Sequence, residues 1–367
     1  MLSHSYYFTA MKVLHILARA LRGGTEKNCF HFIKACPQFH HEVIILNGDG
    51  PLIADWRMLG VNVVVLDILR QNRLVFYRDL PRKLPPGEFD TIIVWTNIRM
   101  PVIMHALNKY KANVFVHIGN PVSTGLAGGW SEWMQSLLFP STNPIHLRPV
   151  SEYVQRGLKK NRYYNRFTSK VSLKPILIPD ATVHEPTSVT SESIVNFGMV
   201  ARLDPIKDHK TVLTAFTILL DEYPRAILNL VGSGPLMKPL KKFVDDRRLG
   251  SSVIFHGDVD DVYSRMRGWD IFLYATTPRE GLGGTIPEAL AIGLPVVAAD
   301  LPMIREWDRY GTYISYCNAG DAENMASTAK TLLTDVDRRK EIHSQAPQYI
   351  RENHSPEIFS YNYISNP

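Results

Sequence analysis

The sequence predicts an α/β protein made of two Rossmann-like, doubly wound domains that face each other across a cleft. In both halves of the chain, short β-branched strands alternate with helical stretches, as expected for parallel sheets with crossover helices. A polar, Ser/Thr-rich stretch at 181–193 separates the two series. The length of 367 residues exceeds the size at which one hydrophobic core usually stays single. Ligands of such folds bind at the carboxyl ends of the strands.

Two series of strands follow from this pattern. The first series consists of Val13–Leu17, His41–Leu46, Val61–Leu66, Thr91–Trp95, Val114–Ile118, Pro149–Ser151 and Pro175–Pro179. The second consists of Ile194–Val200, Ala226–Val231, Val253–Gly257, Ile271–Tyr274, Pro295–Ala299 and Tyr313–Ser315. Helical periodicity predicts helices between them, for example Thr211–Glu222 and Pro235–Arg248. The predicted organisation is an amino-terminal domain at 1–180, a linker at 181–193, a carboxyl-terminal domain at 194–350 and a last helix at 351–367.

Composition narrows the class of protein. The chain is 45% hydrophobic and 21% charged, which is typical of a soluble globular protein. Three cysteines are too few for a disulfide framework and indicate the cytoplasm. No apolar run approaches the roughly 20 residues that span a bilayer, and residues 1–10 lack the features of a signal peptide. Met11 is an alternative start, because the first predicted strand follows it directly.

The charge is unevenly distributed along the chain. Residues 1–190 carry 22 Lys and Arg against 12 Asp and Glu, a balance of +10. Residues 191–367 carry 19 against 23, a balance of −4. A basic half attracts anionic surfaces such as a membrane leaflet or a nucleic acid backbone.

The most informative stretch runs from Arg279 to Leu290. Glu280 and Glu288 enclose a turn that leads into a helix, and the turn consists of Gly281, Leu282, Gly283, Gly284 and Thr285. The glycines leave backbone N–H groups open to a ligand, and the helix start favours an anion. Because carboxylates would repel a phosphate, they are expected to accept hydrogen bonds from hydroxyls, as a nucleotide sugar provides. A capping box of Thr285 and Glu288 explains the same residues equally well on their own.

Two further loops follow strands of the second half. Arg202 and Lys207 lie five residues apart in a strand-to-helix loop and can converge on one diphosphate, although two solvated charges are the simpler explanation. Gly232-Ser233-Gly234-Pro235 follows the next strand, and it predicts a tight turn near the ligand. Met237 occupies the third glycine position, which argues against the dinucleotide fingerprint.

Three weaker signals remain. Gly23 and Gly24 follow the first strand and open a helix, where backbone amides can approach a phosphate or sugar, but ordinary turn chemistry explains them as well. His117 ends a strand of the first half, and a lone histidine is more often structural. Asp258-Val259-Asp260 mimics the D-x-D motif of metal-dependent transferases.

Taken in order, these residues resemble the retaining glycosyltransferases of family 4, which have the GT-B fold. The resemblance runs from Met11 to the last residues. It is carried by Gly23-Gly24, His117, Val150-Ser151-Glu152, Ile178-Pro179, Arg202 with Lys207, Gly232-Ser233-Gly234-Pro235, Phe255-His256-Gly257-Asp258, and Glu280 with Glu288. The stretch His354–Tyr363 resembles the last helix that crosses back to the first domain in such enzymes. Two departures, Asp180-Ala181 for the common Asn-Gly and Ala201 for a glycine, remove no group with a chemical role.

The resemblance implies a role for each residue that contacts the donor. Arg202 and Lys207 would neutralise the donor diphosphate as it leaves. Glu288 would accept hydrogen bonds from the ribose hydroxyls, and Glu280 would hold hydroxyls of the transferred sugar beside the backbone amides of residues 281–284.

The remaining roles concern the sugar, the base and the metal. His117 would lie over the sugar ring near the reacting carbon, and Gly23 and Gly24 would let the first domain close on the donor. Gly257 and Asp258 would border the base. Fixed cations beside the departing diphosphate replace a divalent metal, so neither a metal nor a cofactor is expected. Such enzymes retain the anomeric configuration through substitution on the same face of the sugar, so no side-chain nucleophile is expected.

The acceptor side is less defined. One helical face carries Trp130, Trp133 or Met134, and Leu137. The favoured explanation of this face is a buried core helix, and the alternative is an amphipathic element near a lipid-linked acceptor. Residues 155–174 contain seven Lys and Arg and no acid, which favours peripheral association with an anionic membrane. No nucleic-acid module is recognised, so nucleic acid is not an expected partner.

The leading hypothesis is a glycosyltransferase that moves a hexose or N-acetylhexosamine from a nucleotide sugar, with a UDP-sugar favoured over a GDP-sugar. The expected acceptor is a saccharide, lipid-linked, in surface polysaccharide, lipopolysaccharide or glycolipid assembly on the cytoplasmic face of the membrane. Two alternatives stay open: a sugar-nucleotide epimerase of the same fold, and a non-catalytic partner that binds saccharide.

Overall fold

The computed structural model describes residues 11–21, 23–124, 128–176, 179 and 182–364. Ile178, Asp180 and Ala181, which belong to the family pattern, lie outside the described residues, as do residues 1–10 before the alternative start. The chain forms two compact units. Unit 1 comprises Met1–Pro175 and Pro356–Pro367, and unit 2 comprises Ile176–Ser355. The residues predicted as a linker, 181–193, fall within unit 2.

Unit 1 is a seven-stranded parallel sheet in the order β3-β2-β1-β4-β5-β6-β7. Its strands are β1 (Lys12–Leu17), β2 (His40–Ile45), β3 (Asn62–Val65), β4 (Thr91–Val94), β5 (Asn113–Ile118), β6 (Ile145–Pro149) and β7 (Thr168–Ser169). Its helices are α1 (Gly24–Ala35), α2 (Leu52–Met58), α3 (Arg73–Lys83), α4 (Met100–Ala106), α5 (Trp130–Leu138), α6 (Glu152–Lys160) and α13 (Pro356–Ile364). The strand order reverses between β1 and β4.

Unit 2 is a six-stranded parallel sheet in the order β10-β9-β8-β11-β12-β13. Its strands are β8 (Asn196–Val200), β9 (Ile227–Val231), β10 (Val253–Gly257), β11 (Ile271–Tyr274), β12 (Val296–Ala299) and β13 (Ile314–Cys317). Its helices are α7 (His209–Leu220), α8 (Met237–Asp246), α9 (Val262–Met266), α10 (Ile286–Ala291), α11 (Ala322–Thr334) and α12 (Val336–His354). The two sheets confirm the predicted doubly wound α/β fold.

The strands form because they bury both of their faces. Strands β4, β11 and β12 are buried at every residue, and apart from Thr91 at the start of β4 their sequences are continuous apolar runs rather than alternating ones. This pattern is expected where crossover helices cover both faces of a parallel sheet.

The carboxyl-terminal helix α13 completes the core of unit 1. It packs against α1, and the Tyr363 ring lies 6.0 Å from the Phe32 ring and 5.3 Å from the Trp95 ring. Arg148 of β6 donates a hydrogen bond of 2.7 Å to the backbone oxygen of Tyr363. The last helix is therefore part of the core of unit 1 rather than an appendage.

Three predicted elements of unit 1 are wrong. The strand placed at Pro149–Ser151 ends at Pro149, because the Ser151 side chain caps α6 by accepting a hydrogen bond from the Val154 amide. Pro175 and Ile176 are not in a strand, and β7 occupies the sheet edge beside β6 instead. The favoured explanation of α5 as a buried core helix also fails, because its apolar side chains are exposed.

None of the described helices combines the length and the hydropathy that spanning a bilayer requires.

Candidate functional site

The candidate site of unit 2 lies where the strand order reverses, between β8 and β11. The loops after these two strands meet, and Lys207 pairs with Thr276 as an isolated antiparallel bridge. The Asp208 amide also donates to the Ala275 oxygen at 3.2 Å. Reversal points of parallel sheets are where doubly wound folds bind ligands.

Lys207 and Glu280 form a largely buried ion pair at this reversal point. The Lys207 ammonium donates to Glu280 Oε2 and, at 2.6 Å, to the hydroxyl of Tyr274. Tyr274 in turn donates to Glu280 Oε2 at 3.0 Å. The Lys207 side chain is 17% exposed and the Glu280 side chain 10% exposed. The three groups are therefore held by their mutual hydrogen bonds and have little contact with solvent.

The electrostatics follow from this arrangement. Burial raises the pKa of the Glu280 carboxyl, but the Lys207 ammonium and the hydrogen bonds outweigh burial and hold that pKa at about 2. Burial and then the Glu280 carboxylate raise the pKa of Tyr274, so its hydroxyl keeps its proton. Glu280 is therefore an anion and Tyr274 a neutral donor at any physiological pH.

The glycine-rich turn is organised around the same carboxylate. Glu280 Oε1 accepts hydrogen bonds from the amides of Gly281 at 2.9 Å and Leu282 at 3.3 Å. The prediction that the Gly281 amide is open to a ligand is therefore wrong, because a buried carboxylate needs donors of its own. Gly283 adopts φ of 72°, and a Cβ there would lie 2.7 Å from a methyl carbon of Ile304.

The capping box is also wrong. The Thr285 hydroxyl donates to the Val200 oxygen at 2.9 Å and makes no capping bond to α10. It ties the turn, including Gly284, to the end of β8. Glu288 lies in the first turn of α10 and is 7% exposed. Burial raises the pKa of Tyr263, and the negative charge of Glu288 raises it further.

Arg202 and Lys207 follow β8, but the structure holds them differently. The Arg202 guanidinium pairs with Asp204, and its side chain is 70% exposed. Asp204 is buried, and its second oxygen accepts from the Ile206 amide at 2.9 Å. The loop thus presents one cation, Lys207, that is largely buried and held by Glu280, and one exposed cation, Arg202, that is paired with Asp204.

Two glycines border this loop from the next strand. Gly232 has φ of 128°, and a Cβ there would lie 2.1 Å from the Ala201 oxygen. Gly234 has φ of 154°, and a Cβ there would lie 2.4 Å from the Leu203 oxygen. Both positions require glycine because the backbone of residues 201–203 passes directly against them.

Gly257 and Asp258 lie at the end of β10, beside the same turn. The Gly232 amide donates to the Gly257 oxygen at 2.7 Å, and the Ser233 hydroxyl donates to Asp258. Asp261, just beyond the D-x-D sequence, caps α9. The described residues contain no group of three or more His, Cys, Asp or Glu side chains placed to hold a metal ion.

Unit 1 brings together three other predicted features. Gly23 and Gly24 start α1, and the next residue, Thr25, places its hydroxyl near the end of β5. A Cβ built on Gly119 would lie 3.6 Å from both the Thr25 hydroxyl and Nε2 of His117. The Thr25 hydroxyl and the His117 imidazole thus both border Gly119, which follows β5.

His117 is buried and neutral. Burial lowers its pKa to about 4, and its ring lies 5.2 Å from the Trp95 ring and 6.3 Å from the Tyr363 ring. Among the described residues, its Nδ1 atom has no hydrogen-bond partner. The Nδ1 atom of this neutral imidazole can donate or accept one hydrogen bond, depending on the tautomer, but the ring cannot supply positive charge.

Two residues that organise the site were not predicted. Tyr274 holds both members of the ion pair, and Asp204 shapes the loop that carries them. A signal existed for each: Tyr274 is the polar-tipped last residue of a predicted strand, and Asp204-Pro205 is a turn sequence between two candidate cations.

Sequence comparison relates the chain to glycosyltransferases. Residues 195–335, all in unit 2, match the family of glycosyl transferases group 1. EpsF of Bacillus subtilis (strain 168), itself only provisionally named a glycosyltransferase, is 25% identical over 309 residues, which is 79% of each chain. The N-acetyl-α-D-glucosaminyl L-malate synthase of Bacillus anthracis is 27% identical over 159 residues, or 43% of this chain and 40% of that protein.

Structural comparison extends over nearly the whole chain. Anabaena HepE, solved in complex with UDP and glucose, matches 96% of this chain and 98% of its own with a TM-score of 0.78. The two sequences are 18% identical, so the likeness concerns the fold.

Proposed function

We infer the reaction from one premise: the chain is a glycosyltransferase of the GT-B fold, related to the group 1 family over residues 195–335. We propose that it transfers a hexose or N-acetylhexosamine from a nucleotide sugar to a saccharide acceptor, lipid-linked, with retention of configuration. The favoured donor is a UDP-sugar rather than a GDP-sugar. The HepE structure, which contains UDP and glucose, supports that preference by analogy.

The observation that carries the proposal is the Lys207–Glu280–Tyr274 cluster at the reversal point of unit 2. Glycosyl transfer builds negative charge on the departing diphosphate, and a preorganised cation stabilises it without rearranging during the reaction. Lys207 is such a cation, because Glu280 and Tyr274 fix its ammonium while part of the side chain stays exposed. Arg202, which is exposed, adds a second cation able to bind two phosphate oxygens.

The remaining assignments complete the proposal. Glu288 accepts from the ribose hydroxyls, Gly257 and Asp258 border the base, and residues 281–285 shape the sugar pocket. His117 contacts the transferred sugar, and the backbone amides at Gly23 and Gly24, where α1 begins, approach the donor. Since Arg202 and Lys207 provide the positive charge, the reaction requires no metal and no cofactor.

Donor binding is tested by thermal stability with UDP, GDP or ADP in the presence of EDTA. A nucleotide at a hundredfold excess over its Kd stabilises the folded protein by about 2.7 kcal/mol. We expect UDP to stabilise the wild type, and Arg202→Gln to weaken UDP binding at least tenfold, because it removes a charge-assisted contact. Lys210→Gln, which removes an exposed charge at the start of α7, is the matched control. Equal UDP affinity in the two variants would contradict the phosphate site.

Catalysis is tested with the donor and a lipid-linked saccharide acceptor. A transferase releases free nucleotide only when acceptor is added, and NMR of the product shows the anomeric configuration of the donor. An epimerase converts the nucleotide sugar without releasing nucleotide. A saccharide-binding partner does neither, so the three hypotheses give different products from one reaction mixture.

A further inference from the structure

Helix α5 exposes apolar side chains to solvent instead of burying them. Four of its large apolar side chains are exposed: Trp130 is 46% exposed, Met134 45%, Leu137 58% and Leu138 74%. At about 100° per residue, these four positions fall on one arc of the helix. Ser136 lies on the opposite side and is the buried residue of the helix. A helix of a soluble domain normally buries its apolar arc, so this orientation indicates a surface that meets an apolar partner.

Basic side chains border this apolar arc. Arg162 lies 4.4 Å from the ring centres of both Trp130 and Trp133, which are themselves stacked at 5.1 Å. Arg166 donates to the Ser136 hydroxyl at 3.0 Å, which fixes the polar side of α5 against the same segment. The exposed cations of residues 156–166 are Arg156, Lys159, Lys160, Arg162 and Arg166.

We propose that α5 and the basic segment 156–166 form a docking surface for an anionic lipid bilayer. The apolar arc enters the interface, while the basic side chains meet the lipid phosphates. This inference deepens the proposed function, on whose lipid-linked acceptor it rests, because the surface brings unit 1 to the membrane that holds such an acceptor.

The chemistry favours a bilayer over other partners. Tryptophan and arginine side chains suit the headgroup region, because each has an apolar part that can enter the lipid and a polar part that stays hydrated. The segment 155–174 carries seven cations and no acid, and residues 1–190 carry a balance of +10, so the charge complements an anionic leaflet. A nucleic acid would use the cations but gains nothing from Leu137 and Leu138.

The test is sedimentation of the full-length protein with vesicles of phosphatidylcholine, with or without phosphatidylglycerol. The wild type is expected to bind the anionic vesicles preferentially. Leu137→Ser with Leu138→Ser should lower the partition coefficient at least tenfold, because two leucines no longer enter the interface. The control is Met58→Ser, which removes an apolar side chain that is 78% exposed on α2.

The basic segment is tested by Lys159→Gln with Lys160→Gln. Each cation contributes about fivefold to binding at an anionic surface, so the pair should cost about thirtyfold. The control is Lys34→Gln with Lys111→Gln, which removes the same charge from exposed positions in α1 and in the loop before β5. Loss of binding in both test pairs and retention in both controls supports the docking surface.

Other outcomes overturn it. Wild-type protein that binds neither vesicle, or test variants that bind like the wild type, would exclude the surface. Sedimentation velocity without lipid would assign the arc to a second copy if a dimer is lost in the leucine variant. Tighter binding to single-stranded RNA than to vesicles would assign the basic segment to nucleic acid. Stabilisation by UDP without vesicles is measured in parallel, so failure of the donor site and failure of the membrane surface give separate results.

Discussion

Replacing Lys207 by methionine is expected to destabilise unit 2, because Glu280 then remains buried without its cation. Methionine has a similar length and no charge, so the substitution removes the ion pair with little loss of packing. The amides of Gly281 and Leu282 and the Tyr274 hydroxyl still reach the carboxylate. Hydrogen bonds alone do not offset the burial of a charge.

The magnitude follows from the pKa of Glu280. The folded protein holds that pKa at about 2 instead of 4.5, and a difference of this size corresponds to about 3 kcal/mol. Removing one partner of a buried pair costs a similar amount, about 3–5 kcal/mol. We therefore expect the free energy of unfolding of unit 2 to fall by about 3 kcal/mol at pH 7.

The effect should depend on pH with a definite sign. Because the folded pKa of Glu280 lies below the unfolded value, the stabilisation is complete above about pH 4.5 and disappears as the pH falls toward about 2. In Lys207→Met, burial is no longer opposed by the ammonium, so protonation of Glu280 stabilises the variant. The difference between wild type and variant should therefore shrink on acidification from pH 7 to pH 4.

The assay is hydrogen exchange in increasing urea, followed by mass spectrometry of peptides from residues 271–290, which reports unit 2 separately from unit 1. The double variant Lys207→Met with Glu280→Gln should recover most of the lost stability, because no buried charge remains. The control is Lys242→Met, which breaks an exposed pair with Asp246 and should cost less than about 1 kcal/mol. A loss below 1 kcal/mol in Lys207→Met, no rescue by Glu280→Gln, or a difference unchanged by pH would refute the reasoning.

Two further substitutions test the packing around the candidate sites. Gly232→Ala places a Cβ 2.1 Å from the Ala201 oxygen at φ of 128° and should lower the free energy of unfolding by about 3 kcal/mol, measured as a lower melting temperature of unit 2. The Cβ of Gly250→Ala meets open space, so an equal loss in that variant would contradict the close-approach argument. Tyr363→Ala removes a fully buried ring from the core of unit 1 and should cost about 3–5 kcal/mol in unfolding of that unit. Tyr361→Ala, from a 58% exposed position of the same helix, should be nearly neutral, and similar losses in both variants would show that α13 does not complete the core.

The sequence by itself determined the two sheets and the positions from which the site is built. Strands such as Ile271–Tyr274 and Val296–Ala299 are short apolar runs bounded by polar and turn residues, so their local pattern sets their limits. Parallel strands place their carboxyl ends at one edge of a sheet, and the resemblance to family 4 placed Lys207 and Glu280 at the same donor although they lie 73 residues apart.

Only the tertiary structure decided which groups these residues contact. Glu280 turns its carboxylate onto Lys207 and onto the amides of its own turn, because a buried anion takes the donors that packing brings within reach. The orientation of α5 was equally hidden, since a periodic apolar arc marks one side of a helix but not whether protein or solvent faces it. Local patterns fix the elements, whereas contacts between distant segments fix the partner of each side chain.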